Sequence, residues 1–311
     1  MGRKTIIHII EWSIAGAAYV YLVYRLATYD QYEVVAASLR SMDGWQWGAL
    51  ALCVALMPVN MLIEAWKWYS LMNDGVNELT NERLSFKEAQ RQVYYSKLAG
   101  LITPWRLGEY PARGVILVES LEFRVARSRL VDSRQLMAKV IAMGAIGSAT
   151  MTTVIIVCGV IAMITDLGFK IDDLRFSYYV GLAVLLVLLG LALYFAPQLL
   201  KRWATVSHRL VAISLGQSFV RLVCWCVQLG LVIVALSSCR YDVMTLLRLS
   251  LVYYLLVTVT PNVPIAEVGV RGAWAMMLFG TVNAALAGVV LWVINTLLPC
   301  LLWMFFRKNT K

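Results

Sequence analysis

Apolar runs of about 20 residues recur along this chain, with only short polar intervals between them. Six of them are long enough to cross a hydrocarbon core about 30 Å thick as helices. They cover roughly 5–27, 46–66, 136–164, 176–196, 212–237 and 282–305. Two further apolar stretches, 92–118 and 246–280, are interrupted. The first breaks at Thr103-Pro104 and Leu107-Gly108, the second at Thr260-Pro261-Asn262-Val263-Pro264. Each half is 11–16 residues long, or about 17–24 Å of helix, too short to cross comfortably. Helix, break, helix predicts a re-entrant hairpin in each place.

Composition fixes the class. The chain is 60% hydrophobic and 15% charged, with a mean hydropathy of +0.71, far too apolar for an ordinary soluble domain. No polar stretch is long enough for a separate soluble domain, so residues 1–311 read as a single membrane domain. A net charge of +10 would suggest nucleic acid in a soluble protein. Here the basic residues sit in loops and at helix ends, where they set orientation and attract anionic headgroups. No nucleic-acid partner is expected. The span after Arg3-Lys4 is longer than a signal-peptide core and lacks a small-x-small cleavage site, so it reads as a membrane span.

The charge bias tests the number of crossings. Arg3-Lys4 places the N-terminus in the cytoplasm, and Arg124, Arg127, Arg129 and Arg134 form a second inside segment. Asp166, Asp172 and Asp173 belong outside; Lys201, Arg202, Arg209 and the C-terminal Arg307, Lys308 and Lys311 belong inside. Six spans with two hairpins that return to their own side satisfy all of these. A hairpin crossing as one span would flip every later loop. The expected fold is therefore an all-α polytopic protein of six transmembrane helices plus two re-entrant hairpins. The repeats would be 1–165, with its hairpin at about 92–118, and 176–305, with its hairpin at about 246–280. They start from opposite sides, an inverted-topology repeat of the kind that places transporter sites at the midplane. The expected location is the cytoplasmic (inner) membrane, multi-pass, with both termini cytoplasmic. Residues 28–44 are expected along the outer interface and 73–91 as a polar cytoplasmic connection.

The two breaks carry the same motif. Thr103-Pro104 is followed by Glu109-Tyr110-Pro111-Ala112-Arg113-Gly114, and Thr260-Pro261 by Glu267-Val268-Gly269-Val270-Arg271-Gly272. Both read TP, a gap, then E-x-x-x-R-G, which puts Glu and Arg on one helix face. Charges at membrane depth cost about 2.5–3.5 kcal/mol each on insertion scales and by default mark function. The second arm of each hairpin also starts with unsatisfied backbone N–H groups, near Leu107-Gly108-Glu109 in one case. In the other, Asn262 suits the cap and Pro264 the first turn. Such starts favour anions, and an Arg fork matches a phosphate. The alternative is that each pair is a structural salt bridge stitching its hairpin; the two roles are compatible.

Other polar residues at depth extend the candidate site. Arg221 lies inside the fifth span with no carboxylate within a turn, and either reaches a central cavity or snorkels to an interface. Lys97 precedes the first break and Arg106 lies within it, both placed to meet an anion. Glu11, and Glu64 with Lys67 at the end of the second span, read as structural. Trp105 would cover the site, while the other tryptophans form interfacial belts. Six cysteines and two histidines, His8 and His208, make neither a disulfide framework nor a metal cluster. No catalytic triad order, H-E-x-x-H, P-loop or dinucleotide fingerprint is present. No enzyme activity and no cofactor are expected.

The hairpin motifs resemble those of the lysylphosphatidylglycerol synthase-like transmembrane family, also called the flippase-like domain family. Its first motif, like P-G-R-x-G-E, corresponds to Pro104-Trp105-Arg106-Leu107-Gly108-Glu109. Its second, like P-x-x-x-G-x-G-x-R-E, corresponds to Pro264 through Gly272. Trp105 replaces a glycine, and Gly272 stands where many members have Glu, with Glu267 upstream instead. The family includes the membrane part of enzymes that aminoacylate phosphatidylglycerol, in which a soluble domain makes the lipid and the membrane domain moves it. The resemblance implies transport rather than synthesis.

The expected function is a lipid flippase or transporter for a lipid with an anionic or zwitterionic phosphate headgroup. Arg113 and Arg271 would bind the headgroup, Glu109 and Glu267 orient them, and Arg106, Lys97 and Arg221 complete the cavity. Polyprenyl phosphate or its glycosylated forms are an alternative cargo; a membrane-embedded headgroup transferase, or its partner subunit, is the competing class. A separate lipid-modifying enzyme and a second copy of the chain are the protein partners left open.

Overall fold

Among the described residues every regular element is helical. The computed structural model describes residues 40, 42–75, 83–103, 106, 108–125, 133–165, 207–236, 241–260 and 264–306. The expected spans 5–27 and 176–196, most of the 28–44 segment and Trp105 lie outside them. In chain order the helices are α1 (Gly44–Gly75), α2 (Phe86–Ile102), α3 (Glu109–Val125), α4 (Ser133–Thr165), α5 (His208–Leu236), α6 (Val243–Val259), α7 (Pro264–Phe279) and α8 (Val282–Trp292). A π-helical turn, Val293–Leu297, then leads into α9 (Leu298–Phe306).

Four helices are long and apolar enough to cross a membrane: Gly44–Asp74, Leu136–Thr165, His208–Leu236 and Val282–Leu302. They fall on four of the six expected spans. Their outward faces stay apolar, as with Leu52, Val59, Leu62 and Trp66 on α1. The inward face of α1 buries Cys53, Met57, Met61, Ala65, Trp68 and Met72 at helical spacing. It packs most extensively on α5, whose Leu222, Leu229 and Ile233 belong to the same buried cluster.

Both interrupted stretches form two helices around a break. Thr103 and Thr260 leave the helix with extended backbones (φ −109°, ψ 140° and φ −72°, ψ 114°). Each precedes a proline, whose ring disfavours the α region for the residue before it. The two hydroxyls then do the same work. Thr103 Oγ1 donates to the Ala99 carbonyl (3.0 Å) and accepts from Gly108 N–H (2.8 Å). Thr260 Oγ1 donates to the Leu256 carbonyl (2.7 Å) and accepts from Trp274 Nε1 (3.0 Å). A hydroxyl thus closes the first arm and reaches the segment that follows it.

Three expectations are corrected. Three of the arms are longer than the breaks suggested, 17 residues for α2, α3 and α6, while α7, at 16, falls within the expected length. The reason on α2 is a capping box, in which Ser85 Oγ accepts from Glu88 N–H and Glu88 Oε2 accepts from Ser85 N–H. That start falls inside 73–91, read above as a polar connection, and α1 also runs into that stretch as far as Gly75. Finally, the last span is not a plain α-helix. Pro299 lacks an N–H and its ring clashes with the carbonyl four residues back. The preceding turn widens, and Leu298 N–H bonds to the Val293 carbonyl.

Gly288 on α8 permits its contact with α7: a Cβ there would lie 2.7 Å from the Arg271 carbonyl oxygen. Gly48 on α1 has nothing within 4 Å of such a Cβ. Gly288→Ala should therefore lower the melting temperature in detergent, overpacking costing about 1–3 kcal/mol. Gly48→Ala should leave it unchanged or raise it, since Ala is the better helix former by about 1 kcal/mol. Thermal unfolding of the two variants side by side checks this.

Candidate functional site

The Glu and Arg of each E-x-x-x-R-G copy meet as the four-residue spacing requires. In the first copy, Arg113 Nη2 lies 3.3 Å from Glu109 Oε2. In the second, Arg271 Nη2 and Nε lie 2.7 and 2.8 Å from Glu267 Oε1. Glu109 opens α3, and Glu267 lies in the first turn of α7 after Pro264. Carboxylates there face the positive end of the helix dipole. Gly100 on α2 makes room for the first copy, because a Cβ there would lie 2.7 Å from Glu109 Cγ.

The two pairs are joined by residues from other elements. Arg106 sits in the first break at φ +55°, a left-handed conformation uncommon for a side chain of this size. From there its Nη2 reaches Glu267 Oε2 (2.8 Å), in the second copy, and Thr296 Oγ1 (2.8 Å), in the π turn. Lys97 Nζ bridges Glu109 (3.1 Å) and Glu64 (3.1 Å).

Glu64 is the residue that sequence reasoning underrated. The apolar run 46–66 puts it at the end of a span, but α1 continues to Gly75 and places it inside the helix. Its Oε1 holds Arg113 Nη2 at 2.6 Å and Lys97 Nζ at 3.1 Å, and its Oε2 holds Arg221 Nη2 at 2.6 Å. Arg113 is thus closer to Glu64, 49 positions away, than to its own helical partner. Arg221 turns inward rather than snorkelling. It also donates from Nε to Asn60 Oδ1 (2.9 Å) and stacks over Trp225 at 4.8 Å; Arg113 stacks over Trp68 at the same distance.

One signal in the sequence points to Glu64. Thr103-Pro104 and Thr260-Pro261 are 157 positions apart, and the same offset carries Glu64 to Arg221 and Trp68 to Trp225. The same offset therefore extends into the long helix before each broken pair, α1 and α5. The Glu64–Arg221 ion pair joins two corresponding positions.

All seven sequence-predicted residues (Lys97, Arg106, Glu109, Arg113, Arg221, Glu267 and Arg271) line one cavity of about 530 Å³. Arg113 and Arg271 share it. Glu64, Lys67, Trp68, Tyr110, Trp225 and Tyr254 contribute further walls. Lys67, assigned above to structure, is buried here with its ammonium on the Gly147 carbonyl and Ser218 Oγ (2.7 Å). Among the described lining residues, six cations face three carboxylates. Arg113, Arg221 and Arg271 make their contacts through Nε and Nη2. The cavity can hold an anion against guanidinium groups that its carboxylates already orient. No group of three or more potential metal ligands occurs among the described residues.

No protein-family model matches this chain, and no curated protein matches it.

Removing one partner of a buried ion pair costs about 3–5 kcal/mol because the other charge is left uncompensated. Glu64→Gln leaves Arg221 without a carboxylate and removes one of the two counter-charges of Lys97 and Arg113, and should lower the melting temperature accordingly. Adding Arg221→Gln should recover part of the loss. Thermal unfolding of the single and double variants gives the coupling; additive losses would show that the two charges act independently.

Proposed function

We propose that this protein moves a lipid with a phosphate headgroup across the membrane, the headgroup passing through the cavity while the acyl or prenyl tails stay in the bilayer. One observation carries the reading. Two copies of a buried Glu–Arg pair, from motifs half the chain apart, line a single cavity with a surplus of positive charge. Such charges are costly at membrane depth, and a structural staple needs neither the surplus nor the space.

In this mechanism Arg113 and Arg271 hold the phosphate through their remaining N–H groups. Glu109, Glu267 and Glu64 fix the guanidinium planes before the lipid arrives, which reduces the ordering cost of binding. The proposed topology is six spans with two re-entrant hairpins, α2/α3 and α6/α7, in an inverted repeat within the inner membrane, both termini cytoplasmic. The layout of long helix, broken pair and long helix occurs twice in the described residues, which supports it. The hairpins rock against α4 and α8 so that the cavity opens to one leaflet at a time. Membership of the flippase-like domain family, suggested by the hairpin motifs, is part of this proposal.

Purified protein reconstituted in liposomes with labelled phospholipids tests it. Leaflet exchange should exceed that of protein-free liposomes and fall at least tenfold, about 1.4 kcal/mol, in Arg113→Ala and in Arg271→Ala. No exchange across a panel of phospholipids and polyprenyl phosphates would contradict the reading.

A further inference from the structure

The unevenness of charge in the cavity says more about the ligand than its sign. Glu267 is shared by Arg106 and Arg271. Glu64 and Glu109 together serve Lys97, Arg113 and Arg221. Lys67 has only neutral partners, and among the described residues no carboxylate pairs with it. An ammonium has three donors; the two contacts described leave one for the cavity it lines. With the cations protonated, the described walls carry three more positive charges than negative ones.

A zwitterionic headgroup returns none of that charge and brings an amine into a site already rich in cations. A phosphodiester such as phosphatidylglycerol returns one. A phosphomonoester above its second ionisation, at about pH 6, returns two, and a diphosphate two or three. Resting on the proposed function, we infer that the cavity is built for a lipid ending in a phosphomonoester or diphosphate, with no amine of its own. Lys67 is the group that reads the additional negative charge. It differs from the arginines in having no carboxylate to turn to when the site is empty.

The test measures binding of dioctanoyl phosphatidic acid, phosphatidylglycerol and phosphatidylcholine to the full chain in detergent at about pH 7, above that second ionisation. Soluble glycerol 3-phosphate is the control for a water-borne ligand. Phosphatidic acid should bind at least tenfold more tightly than the other three. Lys67→Met should remove most of that preference, and Lys67→Arg should keep it. Lys67→Met should also leave the melting temperature equal or higher, because a buried cation without a carboxylate is replaced by an apolar side chain.

Equal binding of phosphatidylglycerol or phosphatidylcholine would overturn the monoester preference while leaving phospholipid transport intact. Binding of none of the lipids would overturn the transport reading itself. Glycerol 3-phosphate binding as tightly as phosphatidic acid would keep the charge class and remove the lipid. A Lys67→Met variant that melts lower yet keeps the full preference would return Lys67 to a purely structural role.

Discussion

One carboxylate organises this molecule. Glu64 lies inside an apolar helix and accepts from Lys97 on α2, Arg113 on α3 and Arg221 on α5. Its two oxygens divide the work: Oε1 faces the broken pair α2/α3, and Oε2 faces α5. Without it, three ions in a low-dielectric interior would lose a shared counter-charge. Much of the remaining contact between the helices it joins is apolar packing, which distinguishes poorly between one helix face and another in a membrane. Helix association there depends on close packing and polar contacts between helices. Asn60 extends the polar seam, accepting from Trp225 and donating to Asn295 in the π turn. The polar groups thus specify which faces meet.

The breaks follow from the same economy. A proline frees backbone groups, and at depth those groups need partners. Thr103 Oγ1 accepts from the Gly108 N–H beyond the first break, and Thr260 Oγ1 ties the second break to the Trp274 side chain, each while donating to a carbonyl of the preceding turn. The second arm then starts with its N-terminus beside a Glu, and the Arg one turn later is oriented by that Glu. The left-handed backbone of Arg106 is the exception to this regularity. It turns a residue of the first break onto the carboxylate of the second copy, linking the two halves of the cavity.

What the sequence made legible was local. Runs of apolar residues gave the four long helices. Thr-Pro gave both breaks, and the spacing of Glu and Arg gave both intrahelical pairs. The described residues singled out as charges at depth all line one cavity, because an ion in this setting has few other stable places. What stayed hidden depended on partners far along the chain. Glu64 looked structural because nothing nearby completes it; its partners lie 33, 49 and 157 positions away. Lys67, read with Glu64 as structural, bonds to α4 and α5. The π turn is set by Pro299 together with the contacts of Asn295 and Thr296, and hydropathy reports none of these.

The central claim is that the charged cavity receives the phosphate of a lipid. A structure of the protein with bound dioctanoyl phosphatidic acid tests it most directly. The account predicts the phosphorus inside the cavity, with phosphate oxygens within hydrogen-bond distance of both Arg113 and Arg271 and the chains leaving towards the bilayer. Lipid found only on the outer apolar faces, with the Glu–Arg pairs unchanged and the cavity holding water alone, would contradict it.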